Sequence, residues 1–412
     1  MNELTSLGLI LLFALLVGHL VKFIRVPEVT GYLIAGMLVG PSVLGLFSHE
    51  NLQSLHVFSE VGLGLILFSV GAVFELGRVR AIGRRLITLT LFESFTAAVL
   101  VTIGTLVLRQ PWQVALLLGA IAIETGAAST LMVIRENNSS GPFTEALTAV
   151  IGLNNVFALV AFSLVAVALD MSSLAARDAI TLGGIVRATF PLVWQLVGST
   201  ALGFLVGLLL ASWASQVVES GEMLILLIGC VLLTVGVATV VDLSPLVASL
   251  AVGATMANLS GKSRRLFEAL SRTDPPLYVV FFVLAGADLD LALLPSLGML
   301  GIVYVVCRAT GKLAGARYAA RRTEFSSTIQ RLMGMSLFAQ AGLAVGLVIV
   351  TRERFPEIAP TVTTVVLGAV IVFEIAGPLA ARFALDRSGE SRPQEQPPLL
   401  PVDDSAIALD AD

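Results

Sequence analysis

Long apolar runs separated by short polar, charged or Pro/Gly-bearing stretches occupy the chain almost to Leu385. A helical bilayer crossing needs about 20 apolar residues, within a range of about 17–25. Cutting at charges and at Pro/Gly punctuation predicts thirteen spans: 4–21, 28–44, 56–75, 86–108, 112–134, 144–169, 190–212, 222–239, 243–258, 276–291, 297–319, 328–350 and 361–385. The pattern then stops. DRSGESRPQEQPPLLPVDDSAIALDAD is polar, Pro-bearing and acidic, so residues 1–387 read as one transmembrane unit and 388–412 as a disordered tail. The N-terminus MNELTSLGLILLFALLVGHL lacks the basic region of a cleavable signal peptide and predicts a retained first helix.

The spans repeat. Segment 3 ends LILFSVGAVFEL and segment 10 reads VVFFVLAGADLDL; segments 2 and 9 contain GYLIAGMLVGP and LVASLAVGATMAN; segments 5 and 12 exit through MVIREN and VIVTRER. Each pair is offset by seven helices. An odd offset reverses the direction of crossing, so the halves, about 4–169 and 222–385, read as inverted-topology repeats. In repeats of that kind, discontinuous helices at corresponding positions point to the binding site. Glu124, Thr125 and Gly126 interrupt segment 5, and Gln340 and Gly342 interrupt segment 12 at matching depth. For the glycines alone, close helix packing is the competing explanation. Glu124 adds weight to a site, because an ionisable group at membrane depth is costly.

Composition agrees with the pattern. Of 412 residues, 56% are hydrophobic and 13% charged, against about a quarter charged in soluble domains. A net charge of -4 without a basic tract makes nucleic acid an unsuitable partner. The two cysteines, Cys230 and Cys307, fall in apolar runs, and the three histidines, His19, His49 and His56, are scattered, so neither a disulfide framework nor a resident metal is expected. Lys and Arg concentrate in connections after odd-numbered segments, for example Arg78, Arg80, Arg84, Arg85, Lys262, Arg264 and Arg265, while those after even-numbered segments hold Arg109, Arg177, Arg187, Arg352 and Arg354. That bias places the C-terminus in the cytoplasm and the N-terminus outside. Nucleotide, metalloprotease and hydrolase motifs are absent, and no cofactor is implied.

VPEVTGYLIAGMLVGPSVLGLF, EVGLGLILFSVGAVFEL, CRATGKLAGARYAAR and AQAGLAVGL together resemble the monovalent cation:proton antiporter superfamily. The likeness is to bacterial sodium/proton exchangers with thirteen helices, kin to the membrane domain of glutathione-gated potassium efflux systems. It implies an all-α homodimer in the inner (plasma) membrane, two crossed discontinuous helices per chain, and elevator-like exchange of Na+, K+ or Li+ for protons. The crossed helices match Glu124–Gly126 and Gln340–Gly342. A basic residue on the eleventh helix matches Arg308, with Lys312 one turn further on.

One departure falls on the ion-binding position. Where relatives carry Asp-Asp, Asn-Asp or Gln-Asp on the sixth helix, this chain has Asn154-Asn155. An amide offers a cation an oxygen but has no accessible proton equilibrium. Three readings follow. The carboxylate has moved to Glu124, with Asn154, Asn155, Thr125 and Gln340 as neutral ligands; Glu374, in VFEIAGP of segment 13, is a second acid able to balance Arg308 and Lys312. Alternatively the substrate is an anion or small organic acid, bound between half-helix N-termini in a core that retains Arg308 and Lys312. Or the chain is a non-transporting regulator or scaffold. Two acids against two bases make the expected core neutral. Glu60 and Glu93 are expected to snorkel or to pair helices, and Asp288 and Asp290 to be outward loop acids or a cation vestibule.

Overall fold

The structure, a computed structural model, describes residues 3–23, 26–46, 49–71, 74, 76–176, 190–191, 193–217, 219–260, 266–267, 270 and 275–391. The basic connections holding Arg177, Arg187, Lys262, Arg264, Arg265 and Arg272 lie outside these residues, as do Arg25 and 392–412. The helices are α1 (Glu3–Phe23), α2 (Glu28–Val39), α3 (His49–Gly71), α4 (Leu76–Val107), α5 (Trp112–Ile121), α6 (Ala127–Glu136) and α7 (Pro142–Ala176). After a π-helical turn at Trp194–Gly198 come α8 (Ser199–Ala214), α9 (Ser220–Val240), α10 (Pro245–Leu259), α11 (Pro275–Ala287) and the short α12 (Leu293–Ser296). The chain continues with α13 (Gly298–Arg322), α14 (Ser327–Ser336), α15 (Gly342–Arg354) and α16 (Ala359–Ser388). Each of the thirteen expected segments carries helix. Segments 5 and 12 carry two helices each, α5 with α6 and α14 with α15. Among the described residues, six helical stretches, Gly83–Val107, Pro142–Ser172, Trp194–Ala214, Gly221–Val240, Gly298–Arg322 and Ala359–Ser388, are long and apolar enough to cross a membrane by length and composition.

Two bodies share this bundle. One packs α1–α3 with α9–α11, and α8 lies against α9 and α10; the other packs α4–α7 with α13–α16. In the first body, backbone contact between helices depends on glycine. A Cβ on Gly36 of α2 would lie 2.0 Å from the Val283 carbonyl of α11, and one on Gly286 of α11 would lie 2.2 Å from the Leu33 carbonyl of α2. The same contact recurs between α10 and α3: Gly253 against the Phe68 carbonyl at 2.0 Å, Gly71 against that of Leu250 at 2.4 Å. These glycines occupy the matched motifs of segments 2, 3, 9 and 10, so the sequence likeness there is a likeness of packing surfaces.

The turns recur as well. Before α2, Val26 N–H donates to Val21 O (3.1 Å), and before α10, Leu243 N–H donates to Ala238 O (2.8 Å). Before α5, Gln110 N–H donates to Thr105 O (3.3 Å), and before α14, Phe325 N–H donates to Ala320 O (2.9 Å). In each case a six-residue C-terminal motif ends one residue before the next helix's N-cap. Arg109 and Glu324, the residues preceding those second donors, both take a left-handed φ, 57° and 54°.

The tail is engaged at its start rather than free from 388. Glu390, two residues past α16, caps the N-terminus of α7: its Oε1 accepts from Phe143 N–H (2.7 Å), its Oε2 from Thr144 N–H (2.8 Å) and the Thr144 hydroxyl (2.7 Å). Ser140 N–H donates to the Glu390 carbonyl at 3.1 Å. A carboxylate there satisfies orphan helix donors and opposes the positive end of the helix dipole. Glu390→Ala is expected to destabilise the protein by about 1–2 kcal/mol, read as a lowered Tm in detergent, with Glu390→Gln in between.

Candidate functional site

The interruptions exist because neither strand of backbone can continue its own ladder. Ala122 N–H bonds Leu118 O, but Glu124 N–H reaches back only to Ile121 O, and Gly126 N–H leaves its helix altogether to donate to Ala339 O in the other interruption (2.9 Å). Residues 122–126 and 337–341 are therefore in direct contact. Arg308 of α13 ties them together: Nη1 donates to Phe338 O (2.7 Å), and Nη2 to Glu124 O (2.6 Å) and Ala339 O (3.1 Å). Its guanidinium lies 4.3 Å from the centre of the Phe373 ring. A cation here satisfies carbonyls that helix termini expose and that lipid cannot solvate.

Lys312, one turn on, is fully buried and saturates its ammonium. Nζ donates to Ile123 O (2.7 Å) and the Thr125 hydroxyl (2.9 Å), and pairs with Glu93 Oε1 of α4 (2.7 Å). The run GKLAG makes this possible, since its two glycines let α13 lie on α4. A Cβ on Gly311 would sit 2.5 Å from the Ala97 Cα, and one on Gly315 2.8 Å from the Glu93 Cα. Asn154 joins the same network. Its Nδ2 donates to the Thr125 hydroxyl (3.0 Å) and its Oδ1 accepts from Ser94 (2.8 Å).

Glu124 is 1% exposed, while the Lys312 ammonium is directed to Ile123 O, Thr125 and Glu93. Both Glu124 carboxylate oxygens receive the Ala341 N–H, at 3.4 and 3.3 Å. Glu124 lines a narrow crevice with Asn155, Ala127, Ala128, Gly342 and Leu343 on one side and Leu63, Leu67, Leu246 and Phe281 on the other. The first set belongs to the body of interrupted helices and the second to the body of α3, α10 and α11. From Asn155 the crevice continues along Leu159, Val247 and Ser244.

The structure thus divides the sequence-selected residues. Glu124 and Asn155 meet at the crevice. Thr125 and Asn154 sit behind them, held by Lys312 and Ser94. Gln340 lies inside the crossing, donating to Ile121 O (3.3 Å) and the Tyr304 hydroxyl (2.8 Å), with its Oε1 unpartnered. Glu374 is buried at 4% exposure within electrostatic reach of Glu124, with the Ser129 hydroxyl beside its carboxylate and no well-formed hydrogen bond to either oxygen.

Several expectations change. Of the two expectations for Glu93, helix pairing is the one met: it is 0% exposed, does not snorkel, and its pairing with Lys312 joins α4 to α13. The buried core is consequently not two acids against two bases. Among the described residues, the buried acids are Glu93, Glu124 and Glu374, and the buried bases are Arg308 and Lys312. Arg308 neither pairs with a carboxylate oxygen of Glu124 nor turns to the crevice, because the interrupted backbone takes both its terminal nitrogens. Glu60, Asp288 and Asp290 are exposed, and Asp290 Oδ1 accepts from Ala292 N–H (3.0 Å) at the start of α12. Ser94, Tyr304 and Phe373 were not singled out from sequence. A polar residue on α4 facing segment 6 was the signal available for Ser94; the two aromatics resemble every other apolar position.

An all-helical, membrane-type bundle with buried charge gathered at two touching helix interruptions defines the class of secondary transporters. The family follows from the sequence: residues 8–383 match the family described as "Sodium/hydrogen exchanger, transmembrane", and the chain belongs to it. It is 26% identical over 326 residues to the ammonium/H(+) antiporter subunit AmhT of Alkalihalophilus pseudofirmus, covering 77% of this chain and 79% of that one. It is 24% identical over 325 residues to the high-affinity Na(+)/H(+) antiporter NhaS3 of Synechocystis, covering 71% and 69%. The fold is that of the sodium proton antiporter MjNhaP1 of Methanocaldococcus jannaschii, with a TM-score of 0.68 at 16% identity over 93% of this chain and 98% of that one.

Proposed function

We propose that the chain is a secondary active antiporter exchanging a monovalent cation, Na+, K+ or Li+, for protons, and that Glu124 carries the exchange. The observation behind this is that Glu124 is the buried acid that lines the crevice while the neighbouring bases direct their donors elsewhere. Such a carboxylate binds a proton or a cation, and one excludes the other. Asn155 supplies a neutral amide oxygen to the dehydrated ion, an oxygen-rich environment suited to a hard cation. Ammonium and sodium in the names of AmhT and NhaS3 are both monovalent, in keeping with that class.

Thirteen crossings, with the two interrupted helices crossing at Gly126 and Ala339, form the transport unit in this reading. The crevice between the two bodies favours an elevator-like movement of one against the other. A homodimer in the inner (plasma) membrane, N-terminus outside and C-terminus cytoplasmic, completes the assignment. The anion alternative lacks support from Arg308, whose terminal nitrogens are both engaged by carbonyls.

The test is transport in proteoliposomes loaded with a pH dye and pulsed with Na+, K+ or Li+. Exchange with at least one cation is expected; silence with all three would sink the reading. Asn155→Ala should raise the half-saturating cation concentration about tenfold, the equivalent of about 1.4 kcal/mol, with little change in maximal rate. Asn154→Ala should instead leave that concentration in place and cost about 1–3 kcal/mol of stability, because Ser94 and Thr125 lose a buried partner.

A further inference from the structure

Among the described residues, Glu374 is the buried acid to which neither an ion pair nor the proposed exchange has yet given a role. It lies on α16, the helix that stands to the second repeat as α7 stands to the first. Glu374 and Asn155 therefore lie on equivalent helices of the two repeats; Asn155 shares the crevice with Glu124, and Glu374 lies within electrostatic reach of it. Both oxygens of Glu374 and the hydroxyl of Ser129, on the first turn of α6, are buried together, and none of the three has a well-formed hydrogen bond to any other group. A buried carboxylate with Ser129 as its one neighbouring donor is expensive when ionised, and a structural ion pair does not explain it: Lys312 pairs with Glu93, and the terminal nitrogens of Arg308 go to three carbonyls.

The charge count makes the consequence specific. The Glu93–Lys312 pair is neutral. Arg308 balances one further carboxylate. With Glu124 and Glu374 both ionised, one negative charge is left over in the membrane interior, where uncompensated charge is costly. One proton neutralises it, and so does one monovalent cation.

Resting on the antiport reading, we infer that Glu374 is a second ion-binding carboxylate, that it shares a single exchangeable charge with Glu124, and that one cation therefore replaces one proton. In the proton-loaded state the two carboxylates hold one proton between them. When a cation enters, that O–H bond breaks, the proton leaves by the crevice, and both carboxylates face the ion with Ser129 and Asn155 as neutral oxygens. The cluster is neutral in both states, so one exchange cycle moves no net charge.

Two measurements on the full-length protein test this. The first follows cation pulses in parallel with the pH dye and with current on a solid-supported membrane. The wild type should show proton flux without net current; flux accompanied by sustained current would overturn the one-for-one assignment. The second compares Glu374→Gln and Glu374→Asp. The glutamine variant leaves two acids against two bases, a cluster neutral without any ligand. Its half-saturating cation concentration should rise at least tenfold, while the aspartate variant stays within about threefold of wild type. If Glu374→Gln is unstable in detergent, the aspartate result and the wild-type current still decide the matter. Glutamine and wild type with equal cation dependence would remove Glu374 from the site and leave the antiport reading standing. A wild type silent to every cation would remove both.

Discussion

Glu124→Gln is expected to lower cation-driven proton flux by at least about a hundredfold, the scale of one lost charge-assisted contact of about 3 kcal/mol. The substitution is nearly isosteric, so the crevice keeps its shape and the Ala341 N–H keeps an oxygen to donate to. What disappears is the proton equilibrium, because an amide has none. Arg308 bonds the Glu124 backbone carbonyl and not the side chain, so the joint between the two interruptions should survive, and the variant should stay folded with a Tm within a few degrees of wild type. That separation of function from stability is the discriminating feature. Transport near wild-type level would show that Glu124 is a structural acid. A large fall in Tm would show that its charge holds the interruptions together. Proton flux lost with stability kept is the result that places the exchange on segment 5 rather than on the amides of segment 6.

The wide features of the fold were readable in sequence because they rest on one-dimensional signals. Apolar run length marks helices, and the interruptions at Glu124–Gly126 and Gln340–Gly342 are marked by residues that break an apolar run. The matched glycine motifs carried the repeat because backbone contact tolerates no side chain at those points. Side-chain direction was a different matter. Asn154 and Asn155 are neighbours in sequence and about 100° apart on a helix, so one joins the Lys312 network and the other lines the crevice. Their identity alone could not separate them. Helix pairing was one of two expectations for Glu93, but its partner was not legible, because a lone acid in segment 4 resembles an interfacial residue. Its meaning depends on Lys312, more than two hundred residues away in the chain, and the legible clue was GKLAG, a small-residue pattern that brings α13 onto α4. Arg308 was read as a counter-charge for a carboxylate. Its carbonyl partners become visible only when two interruptions meet, since unsatisfied backbone groups have no letter in the sequence.

Lys312→Met is expected to cost about 3–5 kcal/mol, because it leaves Glu93 buried without its partner. The side chain of Glu93 is 0% exposed and its Oε1 lies 2.7 Å from Nζ, so water cannot take over the role of the ammonium. Restoring neutrality should repair most of the damage. Glu93→Gln in the Lys312→Met background removes the stranded charge at nearly constant volume, and replacing both members of a buried pair is often close to neutral. Recovery should still be incomplete. Lys312 also donates to Ile123 O and the Thr125 hydroxyl, and methionine supplies neither bond, leaving a residual loss of about 1–3 kcal/mol at the edge of the first interruption. Thermal unfolding in detergent of wild type, both single variants and the double variant closes the cycle and isolates the coupling between α4 and α13. A double variant no more stable than Lys312→Met alone would mean that the ammonium acts chiefly on the interrupted backbone. A double variant equal to wild type would mean that it acts only on Glu93. An outcome between the two identifies Lys312 as the residue that both neutralises α4 and holds the interrupted fifth segment in place behind the crevice.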